Sequence, residues 1–309
     1  MKRFTVKFNL CLILCSLCLI PSVVLAQNSV NSSDDLTSTK KKPIDFYSNE
    51  QKQNSFAGCA KLFPENNPDN IINFYAHVDD KWQFRKLCSD DFAVLYSVRT
   101  KTPVLVIEKF DAKKLENKEQ GLERKDNFYA DPRLPKDIQS KLSDYSNVAN
   151  IDRGHLAPAV NAMTVNGMNQ TFALSNIFPQ NSANNRGAWK KVESDVRRYI
   201  GTSQGTTYIV SGIIFDQQEN SVKIGKNNVW KPSRMFKLVY NTAENKGWVY
   251  LVENQAKQTT QIMTYNDFSK QTGVKFGMFE GDVPKQTEKE SVFQLIIQLI
   301  QAFLSKILG

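Results

Sequence analysis

The chain has 309 residues, of which 23% are charged and 41% hydrophobic, and its formal net charge is +9 at neutral pH. That length allows a full hydrophobic core, in one large domain or two small ones. The positive charge suits a polyanionic partner, but many exported proteins are basic for solubility alone, so charge selects no function by itself. The cysteines and histidines lack the spacing of a zinc site, which argues against zinc chemistry.

The first 26 residues have the features of a secretory signal peptide. Three basic residues precede an apolar run over 10–26, which ends in the pattern Val24-Leu-Ala26. This order predicts cleavage after Ala26 and export, to a periplasm or out of the cell. A transmembrane anchor is the alternative, but the run is shorter than the roughly 20 residues that cross a bilayer, and Pro21 interrupts it.

Removal of the signal peptide leaves two cysteines, Cys59 and Cys88. Three of the 40 Lys and Arg residues and three of the five cysteines lie within 1–26, so the mature charge is 37 − 31 = +6. An even number of cysteines in an exported chain predicts one Cys59–Cys88 disulfide. Two buried free thiols are the alternative.

The mature chain divides by composition into three parts. Residues 27–55 are polar and predict a flexible leader, 56–283 predict a folded domain, and 284–309 predict a charged hinge followed by an amphipathic helix. In the last part, glutamines form a narrow stripe on an otherwise apolar helix over 291–308. That helix docks on the domain, docks on a second copy as a homodimer contact, or lies in a membrane interface. The absence of lysine from its polar stripe favours packing against protein.

Within the folded domain, strand patterns surround one central helix. The strand patterns lie at 92–99, 104–108, 207–215, 234–240 and 247–253, and the helical pattern lies at 185–200. Residues 111–150 predict a long irregular connection. Trp189 shares the helical spacing with three valine and isoleucine residues, which assigns it to the core. The order predicts an α+β fold with a mixed or antiparallel central sheet and flanking helices.

Histidine is scarce, which narrows the search for a catalytic group. Only His77 and His155 are present, and His77 lies in an ordinary strand-like context. His155 belongs to the run DRGHLAPA at 152–159. Consecutive Asp, Arg and His are unusual for a packing element, and Gly154 permits a tight turn or a close approach to a ligand.

This run resembles the signature of the DNA/RNA non-specific endonucleases, whose active site is a ββα-metal motif. The resemblance extends to ALSNIFPQ at 173–180, to NRGAWKKVE at 185–193 and to an upstream basic segment at 124–132. In coarser form it covers most of residues 56–280. It implies a magnesium-dependent hydrolase that cuts DNA and RNA with little sequence preference.

The resemblance also implies roles for individual residues. His155 is the general base, and Asn185 is the direct protein ligand of Mg²⁺, for which Mn²⁺ or another divalent cation can substitute. Glu193 holds metal-bound waters or stabilises the histidine side of the site. Further candidates are Arg153 and Asn176 as catalytic residues, and Arg124 and Arg186 as substrate-binding residues.

Each of these residues also has a purely structural interpretation. Asn185 is a plausible helix N-cap, Glu193 a solvated position, and Arg153 a partner of Asp152. On a regular helix, Asn185 and Glu193 point within about 80° of each other but lie about 12 Å apart along the axis, so both cannot bind one ion directly.

Two alternative functions remain open at this point. One is a nuclease restricted to one sugar type or to another phosphodiester, and another is a degenerate, non-catalytic nucleic-acid-binding or adhesion protein. A serine or cysteine hydrolase is not expected, because both mature cysteines look structural and no nucleophile motif accompanies His155. A protein inhibitor is a further partner that the sequence itself does not reveal.

Overall fold

The computed structural model describes residues 41–72, 82–257 and 259–276. The predicted signal peptide, His77 and the C-terminal helix all lie outside the described residues. No helix among the residues that are described is both long and apolar enough to cross a membrane.

The domain is built around a sheet of seven antiparallel strands. In chain order the strands are β1 (Phe84–Cys88), β2 (Phe92–Ser97), β3 (Thr102–Phe110), β4 (Ile151–His155), β5 (Ile177–Asn181), β6 (Thr207–Ile214), β7 (Lys223–Ile224), β8 (Val229–Trp230), β9 (Arg234–Asn241), β10 (Lys246–Glu253) and β11 (Thr260–Met263). The large sheet has the order β1-β2-β3-β6-β9-β10-β11, whereas β4 with β5 and β7 with β8 form separate pairs. The predicted α+β class with a central sheet is confirmed.

The helices are short, with one exception. They are α1 (Asp69–Ile72), α2 (Ala112–Glu116), α3 (Val165–Thr171), α4 (Ser182–Asn184), α5 (Lys190–Thr202) and α6 (Tyr265–Thr272), and a π-helical turn (Asn185–Trp189) joins α4 to α5. The helix predicted over 185–200 is present, and Trp189, Val192, Val196 and Ile200 are buried on one face of it. The core assignment of Trp189 is therefore confirmed.

The connection from β3 to β6 carries everything that the sequence motifs single out. It contains α2, β4, α3, β5, α4 and α5, and it packs on one face of the sheet. On that face Leu156, Phe178 and Trp189 pack against apolar residues of the central strands. The other face is covered by residues that precede β1 and by α6, including Phe56, Phe63 and Phe268. Burial on both faces explains why these strands read as nearly continuous apolar runs.

The predicted flexible leader is wrong over its last part. A 3-10 helix at Pro43–Phe46 precedes Tyr47, which is 4% exposed and bonds the Tyr129 hydroxyl through its own at 2.8 Å. Gln51 donates from Nε2 to Asp90 at 2.8 Å. Composition did not reveal that this segment packs on the domain, because most of its side chains are polar and only a few aromatic and amide contacts anchor it.

The predicted disulfide is present. Cys59 is bonded to Cys88, with their Cα atoms 5.5 Å apart, and both residues are buried. The bond joins the segment before β1 to the end of β1, so the N-terminal covering layer is tied covalently to the edge of the sheet.

Candidate active site

Two antiparallel strands and the helix after them form the frame of the site. In the β4–β5 pair, His155 lies opposite Ile177 and Gly154 opposite Phe178. Asn181 ends β5 and caps the following helix, because its side-chain oxygen accepts from the backbone N–H of Ala183 and Asn184. The chain then runs through the π-helical turn into α5, which brings Asn185 beside β4.

Gly154 lies inside a strand and not in a tight turn, and what approaches it closely is the Gln180 side chain. A Cβ atom at this position would lie 2.1 Å from Oε1 and 2.6 Å from Cβ of Gln180. Only glycine allows the Gln180 side chain to cross β4 here. Gln180 in turn donates from Nε2 to Asn184 at 2.8 Å, and this links the two strands to the start of the helix.

His155 lies in an aromatic enclosure under the surface. The residue is 9% exposed, and its ring lies 5.4 Å from the Phe128 ring and 5.3 Å from the Phe172 ring, measured between centroids. Among the described residues, its Nε2 has no hydrogen-bond partner. Burial, together with the nearby Arg124 and Arg153 guanidinium groups, lowers the pKa of His155 to about 3 against the opposing effect of Asp126. The imidazole is therefore neutral at physiological pH, which is the protonation state of a base.

Asp152 holds the other side of the site together. Its carboxylate accepts from Nδ2 of Asn185 at 3.0 Å, from Ser182 Oγ at 2.8 Å, and from Nε and an Nη atom of Arg186 at 3.0 and 2.9 Å. Burial alone would raise the pKa of Asp152, but the bonds from Arg186, Asn185 and Ser182 outweigh it and lower the pKa. Asp152 is thus an anion that four donors surround, and sequence reasoning missed its role.

The bond to Asp152 fixes how Asn185 is turned. An ionised carboxylate can only accept, so the amide nitrogen faces Asp152 and Oδ1 remains as the atom that can bind a ligand. The part of the chain that the structure describes contains no group of three His, Cys, Asp or Glu side chains placed to hold a metal ion. A single amide oxygen fits a hard cation that keeps most of its waters, and does not fit a cage of carboxylates.

A positively charged cleft of about 440 Å³ opens beside these groups. Three arginines and two aspartates line it, together with Asn185 and Phe128, so positive charges exceed negative ones by one; the charged residues are Arg124, Arg153, Arg186, Asp126 and Asp152. Arg124 is bonded to Asp126 at 2.7 Å, and Arg153 stacks on Phe128 with its guanidinium carbon 4.3 Å from the ring centre. The cleft therefore presents guanidinium groups to a polyanionic ligand, and Phe128 both lines the cleft and lies against the ring of His155.

Arg153 and Arg186 make different contacts from those that the sequence predicts. Arg153 pairs with no carboxylate in the described part of the chain, and the partner of Asp152 is Arg186. Alternate residues of a strand point to opposite sides, so Asp152 and Arg153 diverge. Arg186, predicted as a substrate-binding residue, is committed to Asp152, although its side chain is 76% exposed.

Glu193 is not among the residues that line the cleft, but its charge interacts with that of Arg124, which does line it, and with that of Lys237. It is half-buried, and burial raises its pKa to about 7 against the opposing positive charges of Lys237 and Arg197. The solvated helix face that was its structural alternative is wrong. Its position near Lys237 fits the predicted role on the histidine side better than direct metal binding.

Asn176 is fully buried, and its amide bonds only backbone groups. Oδ1 accepts from the Ala157 N–H at 2.9 Å, and Nδ2 donates to the carbonyls of Ala157 and Thr171, both at 2.9 Å. A side chain engaged in this way cannot reach substrate, so the predicted catalytic role of Asn176 is wrong. It instead fixes the backbone two residues after His155.

One segment does match the serine-hydrolase pattern, GTSQG at 201–205. Ser203 ends α5, and its hydroxyl bonds the Ile200 carbonyl at 3.4 Å. A nucleophile elbow requires a turn from a strand into a helix. This serine follows a helix, so the exclusion of a serine hydrolase stands.

The fold and the site together define a ββα nuclease-like protein, and comparison with known families agrees. The model of the family described as DNA/RNA non-specific endonuclease matches residues 73–279. The chain belongs to this family.

Individual relatives cover parts of the chain. Nuclease 1, mitochondrial, of Schizosaccharomyces pombe is 31% identical over 164 residues, which are 50% of this chain and 49% of that protein. Nuclease C1 of Cunninghamella echinulata var. echinulata is 30% identical over 166 residues, 48% of this chain and 65% of that protein. The chain thus spans about half to two thirds of the length of these relatives. A chain in the crystal structure of the EndoG/EndoGI complex matches with a TM-score of 0.55 and 25% identity, over 63% of this chain and 86% of that one.

Proposed function

We propose that the protein is an exported endonuclease that hydrolyses phosphodiester bonds of DNA and RNA without marked sequence preference and depends on a divalent cation, Mg²⁺ in the first place. One observation carries the proposal. A neutral, enclosed His155 lies beside a cleft that is lined by three arginines and by Asn185, whose amide is oriented by its bond to Asp152. Family membership and the nuclease names of the relatives support it.

The residues of the chain divide the reaction between them. Arg124 and Arg153 bind phosphate oxygens and stabilise the negative charge of the transition state. His155 takes a proton from the attacking water. Its pKa of about 3 in the free protein makes it a weak base, and the approach of an anionic phosphate raises that pKa toward the range in which a base is effective.

Asn185 is the residue that would hold the cation, through Oδ1. When bound there, a divalent cation neutralises charge on the phosphate and assists the leaving oxygen. Glu193 is the residue that would orient the water molecules bound to that cation. The arginine-lined cleft contacts backbone phosphates, which carry no sequence information, and this supports low specificity for sequence and sugar.

The proposal is tested by digestion of plasmid DNA, single-stranded DNA and RNA with purified residues 27–309, in Mg²⁺ and in EDTA. We expect cleavage of all three substrates in Mg²⁺ only, and a fall of at least ~10²-fold in His155→Ala. Asn185→Ala is expected to lose activity and to need more metal. Cleavage by His155→Ala at the rate of the parent protein would overturn the mechanism, and activity on one sugar type alone would favour the narrower nuclease.

Export rests on the signal-peptide pattern and is supported by the disulfide, which is typical of oxidising compartments. It is checked by the N-terminal sequence of the protein recovered outside the cytoplasm, which should begin at Gln27.

Three partner interactions are separate proposals. A dimer contact through 291–308 would be tested by measuring the size of the protein in solution, and a membrane contact through the same residues by vesicle binding. A protein inhibitor would be tested by a direct binding measurement.

A further inference from the structure

A buried lysine lies directly beneath the site, and none of the chemistry above uses it. Lys237, on β9, is 1% exposed. Its ammonium group donates to the Ser211 hydroxyl on the neighbouring strand and to the Leu156 carbonyl at 3.4 Å. It also lies 5.2 Å from the centre of the Trp189 ring.

These contacts join the two arms of the site. Leu156 follows His155 in the chain, so its carbonyl fixes the backbone at the end of β4. Trp189 ends the π-helical turn that begins at Asn185 and lies four residues before Glu193. One ammonium group therefore contacts the histidine strand and the helix that carries the other two candidate residues.

Two acidic side chains, Glu108 and Glu193, and the basic Arg197 lie near enough to Lys237 for their charges to interact with its ammonium group. Glu108, on β3, is 2% exposed and accepts from the Asn161 amide at 3.0 Å. Burial lowers the pKa of Lys237, and the negative charges of Glu108 and Glu193 oppose that shift. A methionine of similar length would fill the same space without the cost of burying a charge, so packing alone does not account for a lysine here.

We propose that Lys237 is a positioning residue, which sets the place of Glu193 and of the His155 backbone relative to each other. The inference rests on the proposed function, because it assigns the lysine to the same site. Lys237 does not touch substrate; it acts through its contacts with the Leu156 carbonyl and the Trp189 ring, and through the attraction between its charge and that of Glu193.

The test compares Lys237→Met with the double variant Lys237→Met/Glu108→Gln. Removing the ammonium alone leaves Glu108 buried with only the Asn161 amide and the charge of Lys114 to stabilise it, so the single variant is expected to lose thermal stability. The double variant removes both charges and is expected to regain Tm. In both variants we expect kcat to fall by roughly 10-fold to 100-fold, with KM changed less than about threefold, because the reacting groups are misplaced.

Lys114→Met is the matched control. Lys114 also bonds a carbonyl, that of Lys109, pairs with Asp91 and lies over the Phe110 ring, but it contacts neither arm of the site. We expect its kcat to stay within about threefold of the parent. Recovery of kcat together with Tm in the double variant would show that Lys237 serves stability alone and would overturn the proposal.

An NMR readout separates this outcome from failure of the proposed function. The chain has two histidines, so His155→Ala assigns the His155 ring signal directly. Lys237→Met is expected to shift that signal, and Lys114→Met is expected to leave it in place. An unshifted His155 signal in a folded Lys237→Met variant contradicts the positioning role, whether or not the protein cleaves nucleic acid.

Discussion

At the scale of single residues, the sequence motif located the site but not its internal bonds. His155, Asn185, Arg153 and Arg124 were predicted from the motif, and the structure brings them to one cleft and its inner wall. The pairing of Asp152 with Arg186 was not predictable, because it depends on where the helix turns back against β4. The motif correctly placed Asn176 near the site and therefore suggested a catalytic role. A motif does not show which groups a side-chain amide is hydrogen-bonded to, and here they are all backbone groups.

Asp152→Asn tests whether the carboxylate orients the amide that would bind metal. The substitution removes the charge and some of the acceptor positions that serve Asn185, Arg186 and Ser182. Loss of such an outer partner typically costs 10-fold to 100-fold in metal affinity or activity. We therefore expect the half-saturating Mg²⁺ concentration, measured from initial rates of plasmid cleavage, to rise by roughly 10-fold to 100-fold.

Asp195→Asn is the control for that measurement, since Asp195 is a partly exposed carboxylate of α5 that pairs with Lys191 and Arg198. Its Mg²⁺ requirement should match that of the parent. Equal Mg²⁺ requirements in Asp152→Asn and in the parent would rule out an orienting role for Asp152.

At the scale of elements, periodicity predicted the long strands and α5 to within a few residues, and it missed β4 and β5. These two strands are short and contain Gly154 and Pro179, and neither alternates between buried and exposed residues: β4 is buried only at its end, and β5 is buried over its first four residues. The π-helical turn was also unforeseen. Because it inserts a wider turn between Asn185 and Glu193, the angle calculated for a regular helix does not describe how those two side chains point.

Gly154→Ala tests the close packing of the two strands. The added Cβ would meet Oε1 and Cβ of Gln180 at 2.1 and 2.6 Å, and the Gln180 Cβ cannot move without its backbone. Overpacking of this kind typically costs about 1–3 kcal/mol of unfolding free energy. We also expect at least a tenfold loss of activity, because His155 follows directly and shares the displaced strand.

Gly201→Ala provides the comparison, because a Cβ at this helical position meets nothing within 4 Å. Urea denaturation should show an unchanged or slightly higher unfolding free energy for it. If Gly154→Ala were as stable and as active as Gly201→Ala, the packing argument for Gly154 would be wrong.

At the scale of the whole molecule, the sequence predicted the class of fold but not its topology. The strand order depends on long-range pairing, above all on the neighbouring positions of β3 and β6, which are separated by nearly a hundred residues that hold the site. The segment before β1 was assigned to a leader because its few anchoring contacts reach distant partners such as Tyr129 and Asp90. The large sheet thus provides the face on which the small motif that contains Gly154 and Pro179 packs.

The enclosure of His155 couples the stability of the whole molecule to pH. The pKa of His155 is about 3 in the folded protein and about 6.5 in an unfolded chain. Below pH 6.5 the unfolded chain binds a proton that the folded protein does not, so the stability that the neutral ring contributes is complete above pH 6.5 and is lost as the pH falls toward 3. Between pH 6 and pH 5 this amounts to about 1 kcal/mol of unfolding free energy.

His155→Phe isolates that contribution. A phenyl ring can occupy the space between Phe128 and Phe172 without a titrating nitrogen, while the carboxylates of the protein affect both proteins alike. Urea denaturation in EDTA at pH 7.5, 6.0 and 5.0 should show the parent losing about 1 kcal/mol more than the variant between the last two values. Equal losses of unfolding free energy in the parent and in the variant would mean that the His155 ring is exposed to solvent. In that case Phe128 and Phe172 would not enclose it in solution.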